Sequence, residues 1–278
     1  MSKNKYGLIT LLILALLAWY LPSTKVDPWN LLNLKKIATV LFALIFIQVF
    51  SSMISRILSV RAGALLTGFL GGLVSSTATT AGLAKKSKTV KTGENQGEIL
   101  VFLSATAAML IEGGIFVLCS DDSLRNISIL FFGPFVATGI MIYFYSRNLN
   151  YELTEATEIP FQIMPILKLT LFIIVIIFTS KLLQILFGQN GVMILTFLVS
   201  LFEIHGSIIA NVQLNENGVF GTEYLSILLI ISIIASYVSK LFLVSTLGST
   251  DLRKKSIQST FYIFLSLLIG WLILKKIS

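Results

Sequence analysis

Long apolar runs separated by short polar loops occupy most of this 278-residue chain. A membrane-spanning helix needs about 20 mostly apolar residues. Nine segments meet this requirement, near residues 6–22, 37–58, 62–84, 97–119, 126–145, 163–187, 190–213, 224–247 and 257–275. Only 12% of the residues are charged, about half the share in soluble domains. The sequence therefore predicts one all-α integral membrane protein, and it excludes soluble enzymes, nucleic-acid-binding proteins and disordered scaffolds.

The first apolar segment is interpreted as a retained anchor helix within residues 1–30. Lys3 and Lys5 precede an apolar run of signal-peptide length. The run ends in Trp19 and Tyr20 with no small-residue cleavage signal, and aromatic residues at this place are typical of the membrane interface.

The charge and the rare residue types limit the chemistry. The net charge is +8, and most Lys and Arg residues flank apolar segments, where they set topology and contact lipid head groups. Cys119 is the single cysteine and His205 the single histidine. The sequence therefore predicts no disulfide within the chain, no metal site and no cofactor.

A shift of 128 residues superposes four consecutive apolar segments without gaps. Segment 37–58 falls on 165–186, and 62–84 falls on 190–212; Gly63 also matches Gly191. This agreement predicts a duplication, with repeat 1 in residues 31–150 and repeat 2 in residues 151–278. The alternative is chance similarity between apolar sequences.

The charges of equivalent loops predict that the two repeats are inverted. The loop after 62–84 carries Lys85, Lys86, Lys88 and Lys91, whereas its counterpart carries Glu216 and Glu223. The next loop carries Asp121, Asp122 and Arg125, whereas its counterpart carries Arg253, Lys254 and Lys255 beside Asp251. The positive-inside rule places such loops on opposite sides. Each repeat would then contain one segment that enters and leaves on the same side.

Segments 62–84 and 190–213 are the candidates for broken or re-entrant helices. The first contains several glycines and the hydroxyl-rich run 75–80, and the second loses its apolar character at 203–207 and again at Asn211. Interrupted segments at matching positions of two repeats are the best sequence pointer to a transporter binding site. The alternative is two tilted, Gly-rich spanning helices that pack through small residues.

Four ionisable residues inside apolar segments are the candidates for ion coupling or gating: Glu112, Glu203, His205 and Lys240. Glu112 and Lys240 are repeat equivalents of opposite charge, so they are predicted to pair as a gate. The open alternatives are a structural lock and separate snorkelling to the interface. Glu203 and His205 are predicted to relay a proton or bind a cation.

The candidate solute contacts are small and polar residues of the interrupted segments: Gly71, Gly72, Ser75, Ser76, Thr77, Thr79, Thr80, Ser207 and Asn211. Their hydroxyls and the exposed backbone N–H groups of a broken helix could hold a small solute. Alternatively, these hydroxyls bond to their own helix and only permit close packing. No catalytic residue is predicted, since the residues before Ser75 do not form a nucleophile elbow.

The stretch from Gly71 to Ser87, with Ser75-Ser76-Thr77-Ala78-Thr79 at its core, resembles the signature of an uncharacterised bacterial membrane domain. That domain is often found C-terminal to MgtC/SapB-type segments. The resemblance extends over about residues 35–275. It implies a multi-pass protein of the bacterial inner membrane that is suspected to be a transporter.

We therefore expect an N-terminal helix followed by two inverted repeats, each with one broken or re-entrant helix. The expected function is secondary transport of a small solute or ion, with coupling to a proton or cation as one option. The open alternatives are a non-transporting regulatory or scaffold protein and a channel. The expected partners are the lipid bilayer and the solute, with a second copy of the chain as an open option and no nucleic acid.

Overall fold

The computed structural model describes residues 2–21, part of 24–50, 63–89, 96–147 and 163–277. These residues are almost entirely helical and include no strand. Predicted segment 37–58 lies partly outside the described residues. Lys91 and most of the loop before residue 163 also lie outside them.

In the part of the chain that the structure describes, eight α-helices have defined bounds. They are α1 (Ser2–Tyr20), α2 (Ala64–Ser87), α3 (Gln96–Leu118), α4 (Ile129–Ser146), α5 (Ile163–Ser200), α6 (Ile204–Glu216), α7 (Thr222–Leu247) and α8 (Thr250–Ile277). A 3₁₀ turn, Asp122–Ser128, leads into α4.

Six helical stretches in the described part of the chain are long and apolar enough to cross a bilayer. They are Ala64–Ser87, Gln96–Leu118, Leu124–Ser146, Leu167–Ser200, Thr222–Leu247 and Thr250–Lys276. The chain is therefore a multi-pass membrane protein. Helix α1 covers the predicted first segment but is not among these six.

Predicted segments 163–187 and 190–213 are divided differently in the structure. Helix α5 runs through both as far as Ser200, with a bend at Gly188, where φ is 63° and ψ is −150°. L-residues with a side chain rarely adopt this conformation, so glycine permits the bend. A second interruption separates Ser200 from Ile204.

Helices α3 and α7 form the centre of the bundle. Helix α3 is the most buried of the six stretches and contributes Phe102, Leu103 and Met109 to the apolar core. Helices α2, α4 and α6 pack on α3, while α2, α5, α6 and α8 pack on α7. The two interrupted elements, α2 and α5–α6, thus lie against the same two central helices.

Hydrogen bonds define the two ends of the bundle. At one end, the backbone N–H of Ser249, just after α7, donates to Ser87 Oγ at 2.9 Å. At the other, the N–H of Asp121, just after α3, donates to Glu216 Oε1 at 3.2 Å. Helix α7 begins soon after Glu216 and ends just before Ser249, so these contacts mark opposite ends. We refer to them as the Ser87 end and the Glu216 end.

Candidate functional site

Helix α2 is interrupted at Ser75, where φ is −166° and ψ is 102°. Ser75 Oγ accepts a hydrogen bond from the backbone N–H of Ala78 at 3.2 Å. Serine is favoured at helix N-caps because its short side chain can accept this bond. The interruption therefore begins a new helical half with its own cap.

The two halves of α2 fold toward each other at Ser75. A Cβ atom at Gly71 would lie only 2.8 Å from Thr79 Oγ1. Eight residues span about 12 Å along a straight helix, so these positions can meet only across a sharp bend. This meeting requires a glycine on one side of the bend.

The first half of α2 packs on α3 through two glycines. A Cβ atom at Gly68 would lie 2.5 Å from the carbonyl oxygen of Val101, and one at Gly72 would lie 2.5 Å from Cα of Ala105. This is the close approach of backbones that small residues allow in membranes. Helix α2 therefore combines the two features that the sequence offered as alternatives, an interruption and small-residue packing.

The second interruption is centred on Glu203, which lies 128 residues after Ser75. Its φ is −145° and its ψ is 96°, close to the values at Ser75. Glu203 Oε1 accepts a hydrogen bond from the backbone N–H of His205 at 3.1 Å, which caps α6. The repeat shift thus superposes one interrupted residue on the other.

Three ionisable side chains meet beside this interruption. His205 Nε2 lies 3.1 Å from Glu112 Oε2, and His205 Nδ1 lies 3.3 Å from Glu203 Oε1. The exposed fractions of the side chains are 3% for Glu112, 12% for His205 and 32% for Glu203. We call these three residues the carboxylate–imidazole cluster. Glu203 can reach His205 because its backbone is extended; in a continuous helix the two side chains would diverge.

The order of the three side chains is that of a proton relay, although Glu112 Oε2 and His205 Nε2 are close without being aligned as a hydrogen bond. An imidazole can take a proton on one nitrogen and release one from the other. Each ring nitrogen of His205 faces a different carboxylate, so a path of two short steps joins Glu112 to Glu203. In the described part of the chain, no three His, Cys, Asp or Glu residues are arranged to hold a metal ion.

Lys240 is fully buried and does not pair with Glu112. Its Nζ atom donates to Ser236 Oγ at 2.6 Å and lies 3.1 Å from Met109 Sδ. Met109 lies one turn before Glu112 on α3, so it covers Lys240 while Glu112 faces His205. The predicted Glu112–Lys240 pair is therefore not formed.

The predicted solute contacts fall into two groups. Within α2, Thr80 Oγ1 donates to the carbonyl oxygen of Ser76 at 2.7 Å. Between α5, α6 and α7, Ser207 Oγ lies 3.3 Å from Ser232 Oγ, and Asn211 Nδ2 donates to Thr196 Oγ1 at 3.2 Å. The remaining predicted contacts, Gly71, Gly72, Ser75, Thr77 and Thr79, lie in α2 with the first group.

Sequence reasoning missed several residues of this region. Thr196 and Ser232 bond to predicted residues, and the ring of Phe116 meets the His205 ring edge-on at 6.2 Å between centroids. The helical spacing of Phe116, one turn after Glu112, could have indicated its position. A phenylalanine in an apolar segment otherwise gives no functional signal.

A family model described as "Domain of unknown function (DUF4010)" matches residues 41–248, which is most of the chain. No curated protein and no solved structure matches the chain.

Proposed function

The chain belongs to the DUF4010 family, and we propose that it is a secondary transporter of a small solute or ion. The observation that carries this proposal is the carboxylate–imidazole cluster at a helix interruption inside the bundle. Ionisable groups at membrane depth are costly, and they usually mark ion pathways or proton relays. Irregular backbone at that depth usually lines a cavity or lies within protein.

The course of α2 is consistent with a re-entrant element whose two ends both lie at the Ser87 end. Gly68 lies opposite Val101 and Gly72 opposite Ala105, so the first half of α2 runs in the same direction as α3. Helix α3 ends at the Glu216 end and therefore starts at the Ser87 end. The second half of α2 then returns to Ser87 itself.

Residues 189–216 support a second re-entrant element of the opposite orientation. The hydroxyl of Tyr224, at the start of α7, donates to the carbonyl oxygen of Gln189, so this element starts at the Glu216 end. It also finishes there, because Glu216 contacts Asp121. The interruption at Glu203 lies between these two points.

The charges of the two ends agree with inverted repeats. Lys85, Lys86 and Lys88 lie at the Ser87 end, and the basic residues 253–255 follow Ser249 at the same end. The Glu216 end carries Glu216, Asp121 and Asp122 together with the basic residues Arg125 and Lys35. The positive-inside rule then places the Ser87 end in the cytoplasm.

The finer predictions from the sequence belong to this proposal. They are a bacterial inner-membrane location, the link to MgtC/SapB-type segments, the division at residues 30 and 150, and solute contact by the hydroxyls of α2. Coupling would use Glu112, Glu203 and His205, while Lys240 would rearrange between states.

Cysteine accessibility tests the proposal without knowledge of the solute. Ser76→Cys and Glu203→Cys are made in a Cys119→Ser background and labelled with a small water-soluble thiol reagent. A transporter predicts labelling at both positions and protection by its solute, which a screen in liposomes would identify. A scaffold predicts that both positions stay unlabelled and that Ser76→Leu is tolerated, whereas a channel predicts flux that does not saturate.

Transport itself is checked with matched variants in proteoliposomes. Solute-dependent flux is expected from the native chain, lost in Glu112→Gln and kept in Glu223→Gln, since Glu223 is exposed at the start of α7. Topology reporters fused after Thr89 and after Glu216 should report opposite sides. Reporters on the same side would contradict the inverted arrangement.

A further inference from the structure

A cavity of about 410 Å³ lies beside the carboxylate–imidazole cluster. Its wall is formed by α3, by α6 and by described residues between 33 and 43. Cys119, just after α3, and Glu216, the last residue of α6, are among its lining residues. Both lie at the Glu216 end, and Cys119 is exposed. The cavity therefore extends inward from that end.

Two side chains separate the cavity from the cluster. Phe116 and Ile209 both line the cavity. Phe116 lies one turn after Glu112 on α3, and Ile209 lies one turn after His205 on α6. One helical turn is about 5.4 Å, and the Phe116 ring already contacts the His205 ring. Phe116 and Ile209 are therefore lining residues of the cavity that lie next to the imidazole.

The size of the cavity and the polar groups on its wall allow water to enter. At about 30 Å³ for each molecule, its volume would hold roughly a dozen waters. Most of its lining surface is apolar, and its polar groups come from Asn33, Lys35, Thr39, Ser120, Gln213 and Glu216. Cavities that hold water need such partners, whereas purely apolar cavities stay dry.

The arrangement of the cluster favours a proton over a metal cation. The oxygens of Glu112 and Glu203 approach different nitrogens of one ring, so they do not converge on a common point. On α5, Leu169 and Ile173 lie near Gly206. On α7, Lys240 is within electrostatic range of Glu203, but its Nζ atom donates a hydrogen bond to Ser236 Oγ. Among the described residues, Glu112 and Glu203 are the carboxylates in contact with His205.

We propose that this cavity is the water-filled vestibule through which the cluster exchanges protons with the Glu216 side, with Phe116 as its gate. The inference rests on the proposed transport function, for which it names the proton as the coupling ion. A proton from vestibule water binds the Glu112 carboxylate and passes to His205 Nε2. His205 is then an imidazolium paired with Glu112, and when Nδ1 releases its own proton to Glu203, one proton has moved and the ring is neutral again.

Thiol labelling tests the vestibule. Val212 lines the cavity, whereas Ile194 is 62% exposed on the outside of α5. The two lie at similar depth, because Val212 is four residues before Glu216 and Ile194 is five residues after Gln189. Each cysteine is introduced in a Cys119→Ser background, and a membrane-impermeant maleimide is added on the Glu216 side. The labelling rate of Val212→Cys should be at least about tenfold that of Ile194→Cys, because thiolates form in water and not in lipid. Equal rates would overturn the vestibule.

A proton leak tests the gate. In liposomes with an imposed pH gradient and an internal pH dye, Phe116→Ala should raise the leak about tenfold, the effect of lowering a barrier by about 1.4 kcal/mol. Adding Glu112→Gln to this variant should return the leak to the native level. An unchanged leak in a Phe116→Ala protein that still labels at Val212→Cys would overturn the gate.

Neither measurement needs a transported solute. Labelling and leak as expected, with every solute screen negative, would support the vestibule and count against the transport proposal. Solute flux with a dry cavity would keep the transport proposal and reject the vestibule.

Discussion

The two interrupted segments share one backbone conformation and differ in chemistry. Ser75 and Glu203 have nearly the same φ and ψ, and each side chain accepts a backbone N–H of the half-helix that follows. The first interruption is surrounded by glycines and hydroxyls. The second contacts two further ionisable residues, Glu112 and His205.

This difference separates what a helix interruption requires from what it can be used for. The backbone break needs only a capping side chain and room to bend. Gly71 and Gly72 supply that room at the first break by permitting contact with Thr79 and α3. The charges at the second break are not needed for the bend, because the first break forms without any charged residue. Their presence therefore indicates function more strongly than the break itself does.

The largest effect is expected when the second break loses its most buried charge. Glu112→Ala should lower the free energy of unfolding by about 3–5 kcal/mol, because it leaves the other side of a buried ion pair without its partner. Equilibrium unfolding in mixed detergent micelles measures this change.

The matched control is Thr77→Ala, since Thr77 is the repeat equivalent of His205. Removing a neutral hydroxyl leaves no buried charge without a partner. We therefore expect the free energy of unfolding to change by at most about 1 kcal/mol. Equal losses in the two variants would remove the energetic distinction between the two breaks.

A loss of about 3 kcal/mol is expected at the first break when its packing is disturbed. In Gly72→Val, the new side chain would meet the backbone of α3 at Ala105, and backbone cannot move aside as a side chain can. Gly82→Val, on the same helix, is the control because nothing lies within 4 Å of its Cβ position. Thermal unfolding of the purified protein compares the two, and an equally stable Gly72→Val would show that the close approach is not needed.

Much of this arrangement could be predicted from the sequence. Apolar length defines membrane segments, because the bilayer thickness is fixed. The shift of 128 residues placed Ser75 opposite Glu203, and both are interrupted in the structure. At the second break, Glu203 lies 3.3 Å from His205, the residue with which the sequence grouped it.

The side-chain partners across helices could not be predicted in the same way. Glu112 and Lys240 are repeat equivalents, but pairing depends on how each helix is rotated, and an apolar segment leaves that rotation undetermined. Helix α3 presents Met109 to Lys240 and Glu112 to His205. The role of Phe116 depends on the same rotation.

A smaller loss, about 1–3 kcal/mol, is expected from Gly188→Ala. The second interrupted element is reached through this residue, which has a positive φ; its repeat equivalent, Val60, lies outside the described residues. The control is Gly139→Ala in α4, which has open space at its Cβ and should be neutral or slightly stabilising. Chemical denaturation in micelles would detect the difference. Equal effects would indicate that the second element does not depend on this bend.

The smallest effect, about 1 kcal/mol, is expected from Ser75→Ala, which removes one helix cap and no charge. Ser75→Asp keeps an acceptor for the N–H of Ala78 and should retain most of the stability, as thermal unfolding would show. At the second break, Glu203→Gln also keeps an acceptor for the N–H of His205, so it should change capping little while removing the charge. The proton leak of a Phe116→Ala background needs no solute, so it should fall when Glu203→Gln is added and persist when Ser75→Ala is added. If Ser75→Ala instead abolished this leak while the helix stayed folded, the hydroxyl break would belong to the ion pathway, and the assignment of proton transfer to the charged break alone would be wrong.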